Sequence, residues 1–196
     1  MDITKFEKYI GSAEFKTVLN NMAVKANDVH TAVNQKYDGK PYFYHLHNVM
    51  KFTRQYLPLV CEMEKDVIPV MFGAYFHDSI EDARLTYNDV MKIAKTFMDE
   101  EQAAMATEIV YALTNEKGRN RHERANDKYY EGIRATNYAP LVKAADRLAN
   151  YTYAKEHKTR MVDMYKEEMK EFVEKALTRE DGGFFVPKAM VDELFS

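Results

Sequence analysis

Apolar residues recur along most of the chain at spacings of three and four, which is the period of an amphipathic α-helix. The first long segment of this kind covers residues 12–33. The alternating pattern of strands is nearly absent, and glycines and prolines fall between the helical segments. The pattern therefore predicts an all-α fold.

Capping and helix-breaking residues predict where the other helices begin and end. A turn over residues 37–41 precedes a helix that carries His45 and stops before Pro58. Thr86 and Asp89 resemble a capping box at the start of another helix. The remaining helices are predicted from residue 66 through the segment 75–82, over residues 99–113, 123–135, 140–157 and 159–178, and after Pro187, with a loop over residues 114–124.

The composition is that of a globular protein. Apolar residues make up 46% of the chain and charged residues 30%, which excludes collagen-like and low-complexity chains. The 28 Lys and Arg against 31 Asp and Glu give a net charge of −3, without the basic field of duplex-binding proteins. We therefore predict no nucleic-acid polymer as a partner.

No stretch approaches the ~20 apolar residues that a membrane span needs, so we predict no membrane partner. The chain is charged from its second residue and begins without the apolar core of a signal peptide. A single cysteine, Cys61, cannot form an internal disulfide and suits a reducing compartment. These features predict a cytoplasmic protein and leave its oligomeric state open.

The segment 75–82, with the sequence YFHDSIED, concentrates groups that bind metals or transfer protons. On a helix, its one imidazole and three carboxylates would share one side: His77, Asp78, Glu81 and Asp82. The turns before it are apolar almost all round, which predicts a buried, central helix. Buried carboxylates repel and desolvate one another, and a bound divalent cation would offset both costs.

Two other segments could complete a metal site. His45 follows the turn at residues 39–41, and Asp146 lies on a helix within about 60° of Lys143 and Asn150. We predict that the metal ligands are His45, His77, Asp78 and Asp146. Two imidazoles and two carboxylates suit Mn²⁺, Fe²⁺ or Zn²⁺. Such an ion would activate water and polarise a phosphoryl oxygen, with Glu81 and Asp82 in acid–base roles.

These motifs resemble those of a known family, the HD-superfamily phosphohydrolases of the RelA/SpoT type. The sequence GKPYFYH at 39–45 resembles the family's G-x-P-Y-x-x-H, and HDSIED at 77–82 resembles its HDxxED. The sequence KAADRLAN at 143–150 resembles K-x-A-D-R-x-x-N, and Glu123-Arg124 resembles an E-R pair. The resemblance covers about residues 26–156.

The resemblance implies an HD-domain helical bundle with one Mn²⁺ that removes the 3′-pyrophosphate of (p)ppGpp, giving GDP or GTP. It implies that Glu81 and Asp82 position and activate water. The substrate contacts that it implies are Lys36, Lys143, Asn150 and Arg124. We predict one domain over residues 1–196, with the helices of 159–196 packed on the core that carries the motifs.

The base-binding side departs from the family pattern. Lys36 stands where the family usually has Arg, and a lysine stacks on a base less well. After Asn150 the chain reads Tyr-Thr-Tyr and lacks the family's basic residue. Hydrolysis of another nucleotide, such as a dNTP, a nucleoside monophosphate or NADPH, therefore stays open, as does a non-catalytic nucleotide-binding module.

Overall fold

The computed structural model describes residues 1–115 and 117–196 and confirms the all-α prediction. In the described residues, the strands β1 (Lys36–Tyr37) and β2 (Lys40–Pro41) form one antiparallel hairpin at the predicted turn. The helices are α1 (Ile3–Ile10), α2 (Ala13–Ala32), α3 (Phe43–Tyr56), α4 (Val67–Phe76), α5 (Tyr87–Ala94), α6 (Glu100–Leu113), α7 (Arg121–Arg124), α8 (Asp127–Ala135), α9 (Ala139–Glu156), α10 (Met161–Phe172) and α11 (Lys188–Leu194).

Side-chain caps fix several helix starts. Ser12 accepts a hydrogen bond from the backbone N–H of Phe15 at the start of α2. The predicted capping box of Thr86 and Asp89 is present at α5. Asn126 caps α8, so this helix begins at Asp127, four residues after the predicted start at Glu123, and the short helix α7 precedes it.

Helix α4 lies at the centre of the molecule, as its continuous apolar sequence predicts. Nearly all of its residues are buried, and it packs against α2, α3, α6 and α9. Gly73 permits the contact with α6, because a Cβ atom there would lie 2.6 Å from Cγ2 of Ile109. The end of α4 therefore lies close to α3 and α9, which carry His45 and Asp146.

The prediction that this helix continues to Asp82 is wrong. Helix α4 ends at Phe76, and residues 77–82 form successive turns. The carbonyl oxygen of Ala74, which a continued helix would offer to the N–H of Asp78, accepts a bond from Nδ1 of His77 at 3.0 Å. The ring of His77 therefore folds back on α4 where the helix ends.

The terminal regions differ from the prediction in two places. The sequence pattern missed α1, which Asp2 caps and which buries Phe6 and Ile10 one turn apart. The segment predicted as one helix over residues 159–178 is α10 followed by a π-helical stretch, Val173–Leu177. Helix α11 follows Pro187 as predicted, and both α10 and α11 contact α9. No helix in the described ranges combines the length and the apolar character needed to cross a membrane.

Candidate metal centre

Three segments bring the four predicted metal ligands together. His45 comes from the first turn of α3, His77 and Asp78 follow α4, and Asp146 lies in the middle of α9. Helix α3 packs against both α4 and α9, which places these groups side by side. The Nε2 atoms of His45 and His77 are 3.2 Å apart. Oδ1 of Asp146 lies 3.3 Å from Nε2 of His45, and Oδ2 of Asp78 lies 2.9 Å from Nε2 of His77.

The chemistry of these donors fits a divalent cation. A carbonyl oxygen can only accept, so the bond from His77 to Ala74 requires a proton on Nδ1. In the neutral ring, the lone pair of Nε2 then points at Nε2 of His45. Both imidazoles are at most 2% exposed and their Nε2 atoms face each other, so a proton or a cation between the two nitrogens would stabilise the pair. Suitable ligand atoms of His45, His77 and Asp146 all lie within 4.8 Å of one another.

Electrostatics keep the two carboxylates ionised. Burial would raise the pKa of Asp78, but the charge of His77 holds it well below its usual range. Burial would also raise the pKa of Asp146, and here the ammonium of Lys143 lowers it. Burial alone would lower the pKa of His77, but Asp78 and Asp146 raise it to about 10. A cation bound at Nε2 of His77 would therefore release a proton.

Two predicted substrate contacts, Lys143 and Asn150, hold Asp146. Nζ of Lys143 donates to Oδ2 of Asp146 at 2.9 Å, and Nδ2 of Asn150 donates to Oδ1 at 2.7 Å. The spacings of three and four residues place all three side chains on one face of α9. Asn150 in turn accepts a bond from the hydroxyl of Tyr37 at 2.9 Å, so its amide is already engaged at both ends.

Glu81 and Asp82 line the same cavity as three of the predicted metal ligands, His45, Asp78 and Asp146, and this cavity has a volume of about 160 Å³. Asn115, which follows α6, donates two hydrogen bonds to the carboxylate of Glu81. Its Nδ2 donates to Oε1 at 2.7 Å, and its backbone N–H donates to Oε2 at 3.3 Å. Burial, followed by the charge of Asp78, raises the pKa of Asp82. The hydroxyl of Tyr42 lies 2.9 Å from Oδ2 of Asp82.

The other two predicted substrate contacts lie outside this cavity. Lys36 is exposed on β1, next to the lining residue Tyr37. Arg124 lines a second cavity of about 290 Å³. The two cavities share Asn115, Lys143 and Arg147, so Arg124 lines a cavity next to the metal-side cavity.

Sequence reasoning gave no role to three residues of the site: Tyr37, Tyr42 and Asn115. The ring of Tyr37 stacks on His45, with centroids 4.9 Å apart. Tyr42 is the tyrosine of the segment that resembles G-x-P-Y-x-x-H, and its place in this motif could have indicated a role in the site. Asn115 lies in the predicted loop of residues 114–124, where nothing in the local pattern distinguishes it.

Comparison with solved structures identifies the fold. A structure described as "a metazoan ortholog of SpoT" that "hydrolyzes ppGpp and plays a role in starvation responses" matches over 94% of each chain, with a TM-score of 0.59 and 23% sequence identity. No family profile matches the chain. No curated protein sequence matches it either. At this identity the match shows that the chain has the fold of that protein, which is the fold that the motifs predicted.

Proposed function

We propose that this protein hydrolyses the 3′-pyrophosphate of (p)ppGpp and releases pyrophosphate with GDP or GTP. The observation that carries the proposal is the convergence of His45, His77, Asp78 and Asp146 at a cavity that Glu81 and Asp82 also line. The metazoan protein with the same fold hydrolyses ppGpp, which supports this substrate class. In the proposal, residues 1–196 form a single cytoplasmic domain that acts on a free nucleotide.

The buried residues His45, His77 and Asp146, together with the half-buried Asp78, would hold the cation, for which we propose Mn²⁺. The ion would lower the pKa of a bound water and polarise the phosphoryl oxygen. Glu81, fixed by Asn115, would position the attacking water and accept its proton, with Asp82 in the second acid–base role. Lys143 and Arg124 would balance the phosphate charge along the two neighbouring cavities. Asn150, which lines the metal-side cavity, and Lys36, which precedes the lining residue Tyr37, would face the nucleotide.

The position of Lys36 supports a second candidate, namely hydrolysis of a different nucleotide. Its side chain is exposed and outside the lining of the metal-side cavity, so the structure holds no arginine-like platform for guanine at that position. A dNTP, a nucleoside monophosphate or NADPH are the alternatives. A non-catalytic binding module is less well supported, because binding alone requires no acid–base groups such as Glu81 and Asp82.

A substrate panel tests these functions against one another. Purified protein is incubated with Mn²⁺ and ppGpp, pppGpp, a dNTP, a nucleoside monophosphate or NADPH, and pyrophosphate and orthophosphate are measured separately. We expect pyrophosphate from ppGpp and pppGpp. Faster turnover of another nucleotide would replace the proposed substrate, and binding without turnover of any would favour the non-catalytic module.

Removal of the metal is expected to stop turnover. Dialysis against a chelator should inactivate the protein, because an ion at this cluster supplies water activation. Mn²⁺, the ion that the family resemblance implies, should restore more activity than Fe²⁺ or Zn²⁺. Activity is measured before dialysis, after it, and after each metal is added back. Activity that persists in protein shown to be metal-free by elemental analysis would exclude the proposed mechanism.

The substitution Asn115→Ala is expected to lower kcat about tenfold while metal affinity stays unchanged. The reason is that Glu81 loses the shorter of the two hydrogen bonds that orient it, the one from Nδ2, and keeps only the longer one from the backbone N–H, while no metal ligand is touched. Steady-state kinetics and calorimetric titration with Mn²⁺ measure the two effects. Asn137→Ala, at an exposed asparagine that lines a different cavity, is the matched control. An unchanged kcat in Asn115→Ala would show that turnover does not depend on the hydrogen bond by which the Asn115 side chain orients Glu81.

A further inference from the structure

Tyr42 lies between a predicted metal ligand and a predicted acid–base group. Its hydroxyl donates to Oδ2 of Asp78 at 2.5 Å and lies 2.9 Å from Oδ2 of Asp82. We propose that Tyr42 is a positioning residue, whose one hydroxyl holds the carboxylates of Asp78 and Asp82 in a fixed relation. Its effect on turnover rests on the proposed function, while its effect on metal binding does not.

The hydrogen bonds of Tyr42 join two groups with different tasks. A phenol has one proton to donate, and the two carboxylates share it in a three-centre hydrogen bond whose shorter branch goes to Asp78. Within residues 1–115 and 117–196, no other side chain forms a hydrogen bond with the carboxylate of Asp82. A tyrosine hydroxyl has a pKa of about 10, so it carries its proton at neutral pH and can act as the donor. Without this hydroxyl, the carboxylate of Asp82 would be free to rotate and that of Asp78 would lose a fixed donor.

Packing fixes the ring of Tyr42 independently of its hydroxyl. The ring stacks on His30 with centroids 4.5 Å apart, and its edge meets Tyr37. His30 is buried, and burial lowers the pKa of its imidazole to about 4, so it contributes a neutral flat surface. The residue also stands between β2 and α3, where its carbonyl accepts the N–H of His45 at 2.9 Å. A phenylalanine at this position would keep the packing and lose only the two polar contacts.

The chain offers a matched control for this substitution. The hydroxyl of Tyr138 also donates to a carboxylate, Oδ2 of Asp66, at 2.8 Å. Tyr138 and Asp66 line a cavity that shares no residue with the metal-side cavity. Tyr42→Phe and Tyr138→Phe therefore remove the same kind of bond, one inside the site and one outside it. A merely structural role predicts similar behaviour of the two variants.

The first test is calorimetric titration of the metal-stripped proteins with Mn²⁺. Tyr42→Phe is expected to bind the ion about 10- to 100-fold more weakly than the unaltered protein, which is the usual effect of losing a group that orients a ligand. Tyr138→Phe is expected to bind it with unchanged affinity. Affinity of Tyr42→Phe within twofold of the unaltered protein would overturn the proposal.

The second test measures turnover with Mn²⁺ at saturation, where weaker metal binding no longer limits the rate. We expect kcat of Tyr42→Phe to fall about 10- to 100-fold with KM nearly unchanged, because Asp82 has lost its orientation. An unchanged kcat would overturn the proposal, which requires both carboxylates to depend on the hydroxyl. If the unaltered protein hydrolyses no nucleotide, the proposed function fails, and the Mn²⁺ titration alone still decides the role of Tyr42.

Discussion

The substitution Asp78→Ala is expected to abolish metal binding and hydrolysis together. Oδ2 of Asp78 lies 2.9 Å from Nε2 of His77 and 3.5 Å from Nε2 of His45, inside the space that an ion would share. The substitution removes one of the two predicted carboxylate ligands and leaves Asp146 with the two imidazoles. Because a metal ion contributes several kcal/mol to such chemistry, we expect activity to fall by roughly three orders of magnitude or more. Metal content after dialysis and initial rates measure the two losses.

Asp192→Ala serves as the control for Asp78→Ala. Asp192 is an exposed carboxylate on α11 that pairs with Lys188 at 2.7 Å, and exposed pairs of this kind contribute little to stability. We expect this variant to retain both metal and activity. If Asp78→Ala lost activity but bound Mn²⁺ as tightly as the unaltered protein, Asp78 would not be a metal ligand.

The regular helices could be predicted because local signals determine them. The start of α5 follows from Thr86 and Asp89, and α11 follows Pro187 as expected. Helix α1 has comparable signals, a cap at Asp2 and the apolar pair Phe6 and Ile10, so the sequence held enough information to predict it as well. The π-helical stretch after α10 could not be predicted, because its sequence remains compatible with an ordinary helix and tertiary packing decides.

The grouping of His77, Asp78, Glu81 and Asp82 was derived from the wrong local geometry. The helical wheel assumed about 100° per residue through Asp82, whereas the chain turns after Phe76. The side chains still line one site, because His77 folds back onto the carbonyl of Ala74 and Asp82 reaches Tyr42. Residue types and motif spacing therefore located the site better than helical periodicity did.

The contacts that orient the candidate site could not be predicted from local sequence. Tyr37 reaches Asn150 across 113 positions of the chain, and Asn115 reaches Glu81 across 34. Such pairs depend on how α6 and α9 pack around α4. The residues next to a polar side chain in a loop do not indicate which distant residue it will contact. For the same reason, the hydrogen bonds of Asn150 to Asp146 and Tyr37 could not be predicted, and its contact with the substrate stays a prediction.

The substitution Glu81→Gln is expected to retain the metal and lose most of the turnover. Glutamine has nearly the same size but cannot take a proton from water, and loss of a general base typically costs 10²- to 10⁴-fold, so we expect kcat to fall by about that factor. The remaining oxygen of the glutamine can still accept one hydrogen bond from Asn115. Its NH₂ group faces the other donor of Asn115, so the second hydrogen bond is lost and the side chain is held less firmly. Mn²⁺ titration and kcat at saturating substrate separate the two properties.

Glu108→Gln is the matched control, because Glu108 is an exposed glutamate of α6 that accepts a hydrogen bond from Tyr87 at 2.6 Å. It should leave both metal binding and kcat unchanged. Normal turnover in Glu81→Gln would remove Glu81 from the acid–base role and leave Asp82 as the carboxylate available for it. A parallel loss of metal would instead place Glu81 among the groups that hold the ion, which its position against Asn115 at the outer side of the cavity does not favour.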